Sequence, residues 1–369
     1  PSLDMKYLVT GSAGFIGYHV AKRLLDEGHQ VVCIDNINNY YGKELKYSRL
    51  EELFNHPDWD KKKFEKIDNS TKSSSRPIFS NKQNHLTFYK ADLEDRDNIN
   101  EIFRQENATT VIHLAAQAGV RYSITNPEAY IDSNLIGFSN ILDASKDNKI
   151  QHFVYASSSS VYGANERLPF SEDDPVDHPL SLYAATKKSN EMLAHSYSNI
   201  YGLPTTGLRF FTVYGPWGRP DMSLFLFTRA MLKDEQIDIY NHGNHKRDFT
   251  YIDDIVDGVF KISKKMPSSD EDWSGKQPSY SSSNQPWRIY NIANGTPINL
   301  MDFVEIIERK INKKAKINYL PMQPGDVPET HADISLLSKA VGYRPETSVE
   351  EGVVKFIDWY ISYFGSNKI

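Results

Sequence analysis

The segment Tyr7-Leu8-Val9-Thr10-Gly11-Ser12-Ala13-Gly14-Phe15-Ile16-Gly17 constrains the fold more than any other part of the chain. An apolar strand runs into a glycine-rich turn and then into an amphipathic helix. The first glycine permits a tight turn. The second lets backbone approach a ligand, and the third lets the helix pack close to the strand. The first turn of that helix then offers unpaired N–H groups and the positive end of its dipole, a seat for phosphate oxygens. The spacing is Gly-x-x-Gly-x-x-Gly rather than Gly-x-Gly-x-x-Gly, and three glycines alone are weak evidence. The segments that follow supply the rest.

Short apolar runs alternate with amphipathic stretches through the first half. Strands are expected at Lys6–Thr10, Gln30–Ile34, Leu86–Lys90, Thr110–His113 and His152–Ala156, and helices at Gly14–Asp26, Lys43–Phe54, Arg96–Gln105 and Ala129–Lys146. This rhythm predicts an α/β chain with a Rossmann-type doubly wound parallel sheet. Later strands are expected at Thr205–Phe210, Asp238–Tyr240, Arg288–Asn291 and Lys316–Tyr319, and helices at Leu224–Leu232, Ile252–Lys264, Met301–Ile311 and Val349–Tyr363. A length of 369 residues suits that large domain plus a smaller C-terminal α/β substrate-binding lobe. Residues 5–180 are expected to form mainly the nucleotide-binding domain. Residues 181–369 would supply a catalytic helix, the remaining Rossmann elements and the interleaved lobe. Two polar stretches, His56–Asn84 and Met266–Gln285, read as solvated surface loops.

Bulk properties exclude several partners. A formal net charge of −6 gives no electrostatic reason to expect nucleic acid. The lone Cys33 lies in an apolar strand, so no intrachain disulfide forms and a cytoplasmic setting fits. No apolar run approaches the ~20 residues that span a bilayer, and no signal peptide precedes Met5. Pro1–Asp4 read as an expression remnant. No metal-ligand pattern is present.

Asp35 ends the second strand, where a carboxylate reaches the adenosine ribose hydroxyls and repels a 2′-phosphate. The expected cofactor is therefore NAD, held by Gly11, Gly14, Phe15, Ile16, Gly17, Asp35 and the adjoining Asn36. Asp92 and Leu93 follow the third strand at the adenine edge. Leu114, Ala115, Ala116 and Gln117 follow the fourth, where small residues let the cofactor pass. Tyr183 and Lys187 lie one helical turn apart and share a face. An ordinary tyrosine, with pKa ~10, is a poor base near neutrality, and a nearby ammonium favours its phenolate. Upstream, Ser157–Ser160 end a strand. Ser158 is the expected hydroxyl at the substrate oxygen, with Ser159 and Ser160 as rivals that spacing does not separate. Together these groups describe hydride chemistry with Tyr183, Lys187 and Ser158 as the reacting set.

With these residues the chain resembles the extended short-chain dehydrogenase/reductase superfamily, from about Met5 to about Phe364. Within it, several stretches resemble UDP-glucuronate 4-epimerases: Leu208-Arg209-Phe210-Phe211-Thr212-Val213-Tyr214-Gly215-Pro216-Trp217-Gly218-Arg219-Pro220-Asp221-Met222, Arg247 to Asp254, Gln117 to Ser123, and Gln323 to Val327. Many relatives carry asparagine where this chain has Thr212, a departure shared with the glucuronate epimerases. The resemblance implies a tightly bound, recycled NAD and a homodimer built from two long helices per subunit. It also implies a UDP-sugar held by Ser158, Ser159, Ser160, Arg121, Thr212, Arg219, Arg247 and Asp326. Arg219 and Thr212 would take the sugar carboxylate, Arg247 the diphosphate and Asp326 the uridine ribose. The likeness is to the soluble bacterial members rather than the anchored plant ones. The implied reaction is 4-epimerisation of UDP-glucuronate to UDP-galacturonate through a 4-keto intermediate. Its rivals are a UDP-glucuronate decarboxylase and a 4-epimerase of a neutral UDP-hexose or N-acetylhexosamine. Ser159 and Ser160 stand where a dehydratase would want a carboxylate, which disfavours that class. A non-catalytic NAD-binding protein on the same fold is a further alternative.

Overall fold

The computed structural model describes residues 5–83 and 85–365. Pro1–Asp4 and Asn84, the end of the expected polar insertion, lie outside the described residues. The chain divides into two compact units. Of the described residues, the first comprises 5–83, 85–165, 172–209 and 259–290, and the second 166–171, 210–258 and 291–365.

The first unit carries an eight-stranded sheet. In chain order its strands are β1 (Lys6–Thr10), β2 (Gln30–Asp35), β3 (Phe79–Asn81), β4 (Leu86–Lys90), β5 (Thr110–His113), β6 (His152–Ser158), β7 (Thr205–Phe210) and a final strand, Trp287–Ile292. In space the order runs from that final strand through β7, β6, β5, β1, β2 and β4 to β3. The pairs β1–β2, β1–β5, β2–β4 and β5–β6 are parallel. Tyr7, Leu8 and Val9 are all fully buried, as expected of a sheet covered on both faces. Leu8 joins Val32, Ile34, Val111, Phe153 and Tyr155 in a core capped by Ile99, Phe103, Ile141 and Leu142 from two helices. From β1 the chain winds first towards β2 and β4, then crosses to β5 and continues outward. The switch point thus lies between β1 and β5, and in open α/β sheets ligands bind outside the carboxyl ends of strands at such a point.

Three sequence expectations are corrected. The stretch His56–Asn84 is not merely a solvated loop. It contains a helix, Lys61–Ser70, and the strand β3, which pairs antiparallel with β4. Its apolar residues are sparse, so periodicity hides them, yet Phe64 and Phe79 pack with Phe54, Trp59 and Phe88 into one aromatic cluster. The last turn of the helix carries Asp68, whose buried carboxylate meets Lys43 at 2.9 Å and Lys90 at 2.6 Å and accepts from the Tyr47 hydroxyl at 2.6 Å. The second polar stretch is also tied down. Ser279 and Ser281 donate to Asp173 Oδ1 at 2.7 and 2.8 Å, and Ser283 Oγ lies 2.7 Å from His195 Nε2. Finally, the expected helix Ala129–Lys146 is a composite. An α-turn, Pro127–Tyr130, leads into a π-helical segment, Ile131–Gly137, and then an α-helix, Phe138–Asp147.

Burial alone would push the Asp68 carboxyl up, but hydrogen bonds from Lys90, Tyr47 and Lys43 outweigh it and hold the group below the usual carboxylate range. A depressed carboxylate stabilises the fold above its unfolded pKa, and that contribution is lost as pH falls through the folded value. Asp68→Asn leaves two partly buried ammonium groups facing each other and is expected to cost on the order of 3 kcal/mol at pH 7. Urea titrations from pH 7 to pH 3 check this: the wild-type acid limb should flatten in the variant.

The second unit is built from short pairings and helices. Thr212–Tyr214 runs parallel to Phe249–Tyr251, and Gln236–Ile239 runs parallel to Lys316–Tyr319. Lys246–Arg247 pairs antiparallel with Ile298–Asn299. Its longer helices are Ser223–Leu232, Leu300–Ile311 and Val349–Phe364. Among the described residues no helix is long and apolar enough to cross a membrane.

Candidate active site

The glycine turn sits at the mouth of the switch point. Gly11 has φ +77°, and a Cβ there would lie 2.8 Å from the Ala115 amide nitrogen. A Cβ on Gly17 would meet the Gly11 carbonyl oxygen at 2.0 Å, so the helix Phe15–Asp26 approaches β1 only because the position is glycine. No side chain caps this helix and no acidic residue stands in its first turn. Its free N–H groups and dipole therefore face outward for an anion, as a dinucleotide pyrophosphate requires. Ser12 Oγ lies nearby, buried and without a hydrogen-bond partner.

Asp35 is set by backbone. Its Oδ2 accepts from Ala13 N at 3.0 Å and its Oδ1 from Ile37 N at 2.7 Å. Each oxygen keeps further acceptor capacity for a ribose hydroxyl. Asp92 is exposed at the end of β4, and its N–H donates to Ser73 Oγ at 3.0 Å. Leu93 is buried, its carbonyl accepting from Asn140 Nδ2 at 2.8 Å. Across the switch point, Thr10 Oγ1 accepts from Leu114 N and Ala115 N, both at 3.0 Å. Its own hydrogen therefore points to His113 Nδ1, 2.7 Å away, leaving the other ring nitrogen protonated. Burial, with Lys187 nearby, pulls His113 down to about 3, so the imidazole is neutral. These groups fit NAD: an uncapped helix N-terminus behind a turn that closes only with glycine, an acidic ribose contact and a small-residue wall.

The candidate reacting residues Tyr183, Lys187 and Ser158 all lie in the first unit. Tyr183 and Lys187 lie on the helix Leu182–Tyr201, capped by Ser181, whose side chain accepts from Ala184 N. Lys187 Nζ is 5.8 Å from the Tyr183 ring centroid and donates to Ala156 O at 3.0 Å. Ser158 Oγ accepts from Ser160 N at 3.1 Å and from Ser160 Oγ at 2.9 Å. Ser160 thus orients Ser158, leaving the Ser158 hydrogen for another acceptor. Ser159 lies in the 3-10 turn that follows β6.

Sequence reasoning missed the groups that lock this set together. Glu191, one turn beyond Lys187, is fully buried and receives Arg209 Nε at 2.9 Å and Nη2 at 2.8 Å. It also accepts from Ser157 Oγ at 2.7 Å, fastening the serine strand to the helix Leu182–Tyr201. Asn134, in the π-helical segment, accepts from Gln117 N at 2.8 Å and donates to Gln117 O at 3.1 Å. Its Nδ2 is also 3.2 Å from Thr186 Oγ1, and its carbonyl accepts from Asn190 Nδ2 at 2.7 Å. The loop Leu114–Gln117 and the catalytic helix therefore register on one asparagine, at a π-bulge of the kind that marks functional sites. No local signal marked it, since Asn134 follows the polar Asp132 and Ser133.

Burial draws the Lys187 ammonium down to about 8 from an ordinary 10.5. A lysine lowered on folding destabilises the fold while charged in both states. Between about pH 8 and 10.5 only the unfolded chain binds that proton, so stability rises with pH across that window. Lys187→Met is expected to be the more stable protein at pH 7, by on the order of 2 kcal/mol, with the gap closing towards pH 10. Guanidinium midpoints of the NAD-free proteins from pH 7 to 10 measure it.

The second unit holds the other candidates. Arg247 Nη2 donates to Asp326 Oδ1 at 2.9 Å. Beside them Asp248, fully buried, accepts from the amides of Asn294, Gly295 and Ala332 at 2.8 to 3.2 Å. This anchors the strand bearing Arg247 to the segment that follows Asp326. Thr212 opens its strand, half-buried. Arg219 forks onto Asp221, with Nε and Nη2 each 3.1 Å from one carboxylate oxygen. Arg121 is exposed in the first unit, just ahead of the short helix Tyr122–Thr125.

The profile of the NAD dependent epimerase/dehydratase family matches residues 7–274. The chain belongs to that family. It is 52% identical to Protein CapI of Staphylococcus aureus over 98% of this chain and 99% of that protein. It is 46% identical to a probable UDP-glucuronate 4-epimerase of Rhizobium meliloti (strain 1021), over 96% of this chain and 97% of that one. A UDP-glucuronic acid 4-epimerase from Bacillus cereus, solved with UDP-glucuronic acid and NAD, superposes with a TM-score of 0.80 at 30% identity, covering 97% of this chain and 100% of that one. The chain is thus an NAD-dependent isomerase of the epimerase class. Among the described residues no cluster of three metal-ligating side chains occurs.

Proposed function

We propose that this epimerase interconverts UDP-glucuronate and UDP-galacturonate at C4. The observation that carries the substrate assignment is the Arg219 fork. The Nε and Nη2 of Arg219 fork onto Asp221, which fixes the guanidinium, and a sugar carboxylate would share or take over that planar two-point contact. The ligands named for the Bacillus cereus protein and the probable activity of the Rhizobium relative support the same reading.

In this mechanism Tyr183 removes the proton of the 4-hydroxyl, with Ser158 donating to the same oxygen. Lys187 keeps the phenolate accessible and holds the nicotinamide ribose. When bound, NAD supplies reversible hydride acceptance at C4. Gly11, Gly14, Phe15, Ile16 and Gly17 hold its pyrophosphate, Asp35 and Asn36 its adenosine ribose, and Asp92 and Leu93 its adenine. Leu114–Gln117 form the wall along which it passes. The 4-keto sugar turns over to present the opposite face of C4, and Tyr183 returns the proton to the C4 oxygen. Arg247 holds the diphosphate and Asp326 the uridine ribose, while Ser159, Ser160 and Arg121 complete the sugar contacts. In a 4-keto uronate the carboxylate is β to a ketone and leaves as CO2 once its bond to C5 aligns with the carbonyl π system. Arg219 and Thr212 hold it out of that alignment.

The functional unit is proposed to be a homodimer in the cytoplasm. Ile131 and Ile136 of the composite helix and Met192, Ile200 and Tyr201 of the catalytic helix are exposed apolar side chains on two neighbouring helices. The substrate assignment is tested by kcat/KM: UDP-glucuronate should exceed UDP-glucose by at least ~100-fold, and parity would overturn it.

A further inference from the structure

Trp217 has φ +68°, a left-handed backbone conformation that a bulky side chain rarely adopts. It lies in the turn Gly215-Pro216-Trp217-Gly218, closed by Gly218 N donating to Gly215 O at 3.1 Å. Proline followed by a positive φ is the order of a type II turn, whose third position favours glycine. A tryptophan there persists only if its surroundings hold it. They do: its ring lies 5.2 Å from Trp359 and 5.2 Å from Tyr363, centroid to centroid, on the helix Val349–Phe364. Those two rings stack on each other at 5.4 Å and 19°.

Arg219 comes next but one, and a second turn starts on it, with Met222 N donating to Arg219 O at 3.2 Å. The helix Ser223–Leu232 then docks Phe225 against Phe356, Trp359, Tyr360 and Phe364 of the same C-terminal helix. The segment 217–225 that presents Arg219 is therefore pinned at both ends to one aromatic platform, with Trp217 as the pin beside the arginine.

We infer that Trp217 is a positioning residue for carboxylate recognition: its docking on Trp359 and Tyr363 fixes the backbone from which Arg219 reaches the sugar carboxylate. The inference rests on the carboxylate role proposed for Arg219. A glycine at 217 keeps the positive φ without strain but loses the pin, which separates the two contributions of the residue.

Trp217→Gly should weaken UDP-glucuronate binding by 10- to 100-fold, as small misplacements of a binding group do, while leaving NAD content and the affinity for UDP alone within twofold. UDP lacks the sugar carboxylate, so a general loss of structure would weaken both ligands. In an Arg219→Ala background the same change should add less than twofold, since there is no guanidinium left to misplace. Trp217→Phe, which keeps a ring on the platform, should restore most of the affinity. Tyr363→Leu strips half of the seat from the other side and should reproduce the selective loss if Trp217→Gly does not fold. Wild-type affinity in both the glycine and leucine variants, or full multiplication of the two effects in the double variant, overturns the inference. Unchanged binding in Arg219→Ala alone would instead remove the carboxylate role on which it rests.

Discussion

Tyr183→Phe is expected to lower kcat by at least ~10³-fold while leaving NAD content and thermal stability close to wild type. Tyr183 carries its phenol oxygen on the helix Leu182–Tyr201 one turn from Lys187, whose buried ammonium donates to the Ala156 carbonyl. Phenylalanine keeps the ring and its edge contact with Tyr130, at 6.2 Å and 82°, so packing is preserved. A second base is not at hand among the charged neighbours. Glu191 is fully buried in its fork with Arg209, and His113 is neutral with its Nδ1 taken by Thr10. Ser158 can hold the substrate oxygen but has no reason to ionise near neutrality. Single-turnover kinetics with UDP-glucuronate, beside the ultraviolet signature of bound cofactor, would read both halves. A variant retaining more than a tenth of wild-type kcat would place the base elsewhere.

Arg219→Ala is the second large effect. Its guanidinium is only partly exposed and held by a two-point contact with Asp221, so in the proposed role it would meet a substrate carboxylate already oriented. Removing it should raise KM for UDP-glucuronate by at least ~100-fold, in the range found when one member of a hydrogen-bonded charge pair is truncated. It should also leave Asp221 unneutralised beside the incoming carboxylate, which adds repulsion. The distinctive outcome is chemical. With the ring of the 4-keto sugar free to pucker until its C5–carboxylate bond aligns with the carbonyl π system, part of the turnover should end in CO2 loss and a pentose product. A variant that binds poorly but never yields pentose would confine Arg219 to recognition and remove its protective role.

The strands β1, β4, β5 and β7 coincide with the apolar runs Lys6–Thr10, Leu86–Lys90, Thr110–His113 and Thr205–Phe210, because buried parallel strands write themselves as continuous apolar segments. The glycine turn was legible for a related reason: Gly11 and Gly17 stand where a Cβ collides with backbone. What escaped was held together by polar side chains. The helix Lys61–Ser70 is organised by one buried carboxylate, Asp68, in a lysine-rich stretch that reads as solvated. The π-helical segment depends on Asn134 answering both polar groups of Gln117, a relation across the fold that no local period records. Glu191 and Arg209 likewise look like ordinary charged residues until the sheet brings them together.

The central claim is that the chain epimerises UDP-glucuronate at C4 with a cofactor it retains. The direct measurement is proton NMR of UDP-glucuronate incubated with the purified protein and no added NAD. Conversion to UDP-galacturonate at constant mass, reaching the same mixture from either sugar, is the predicted result. A pentose product, or an unchanged spectrum even with NAD supplied, would contradict it.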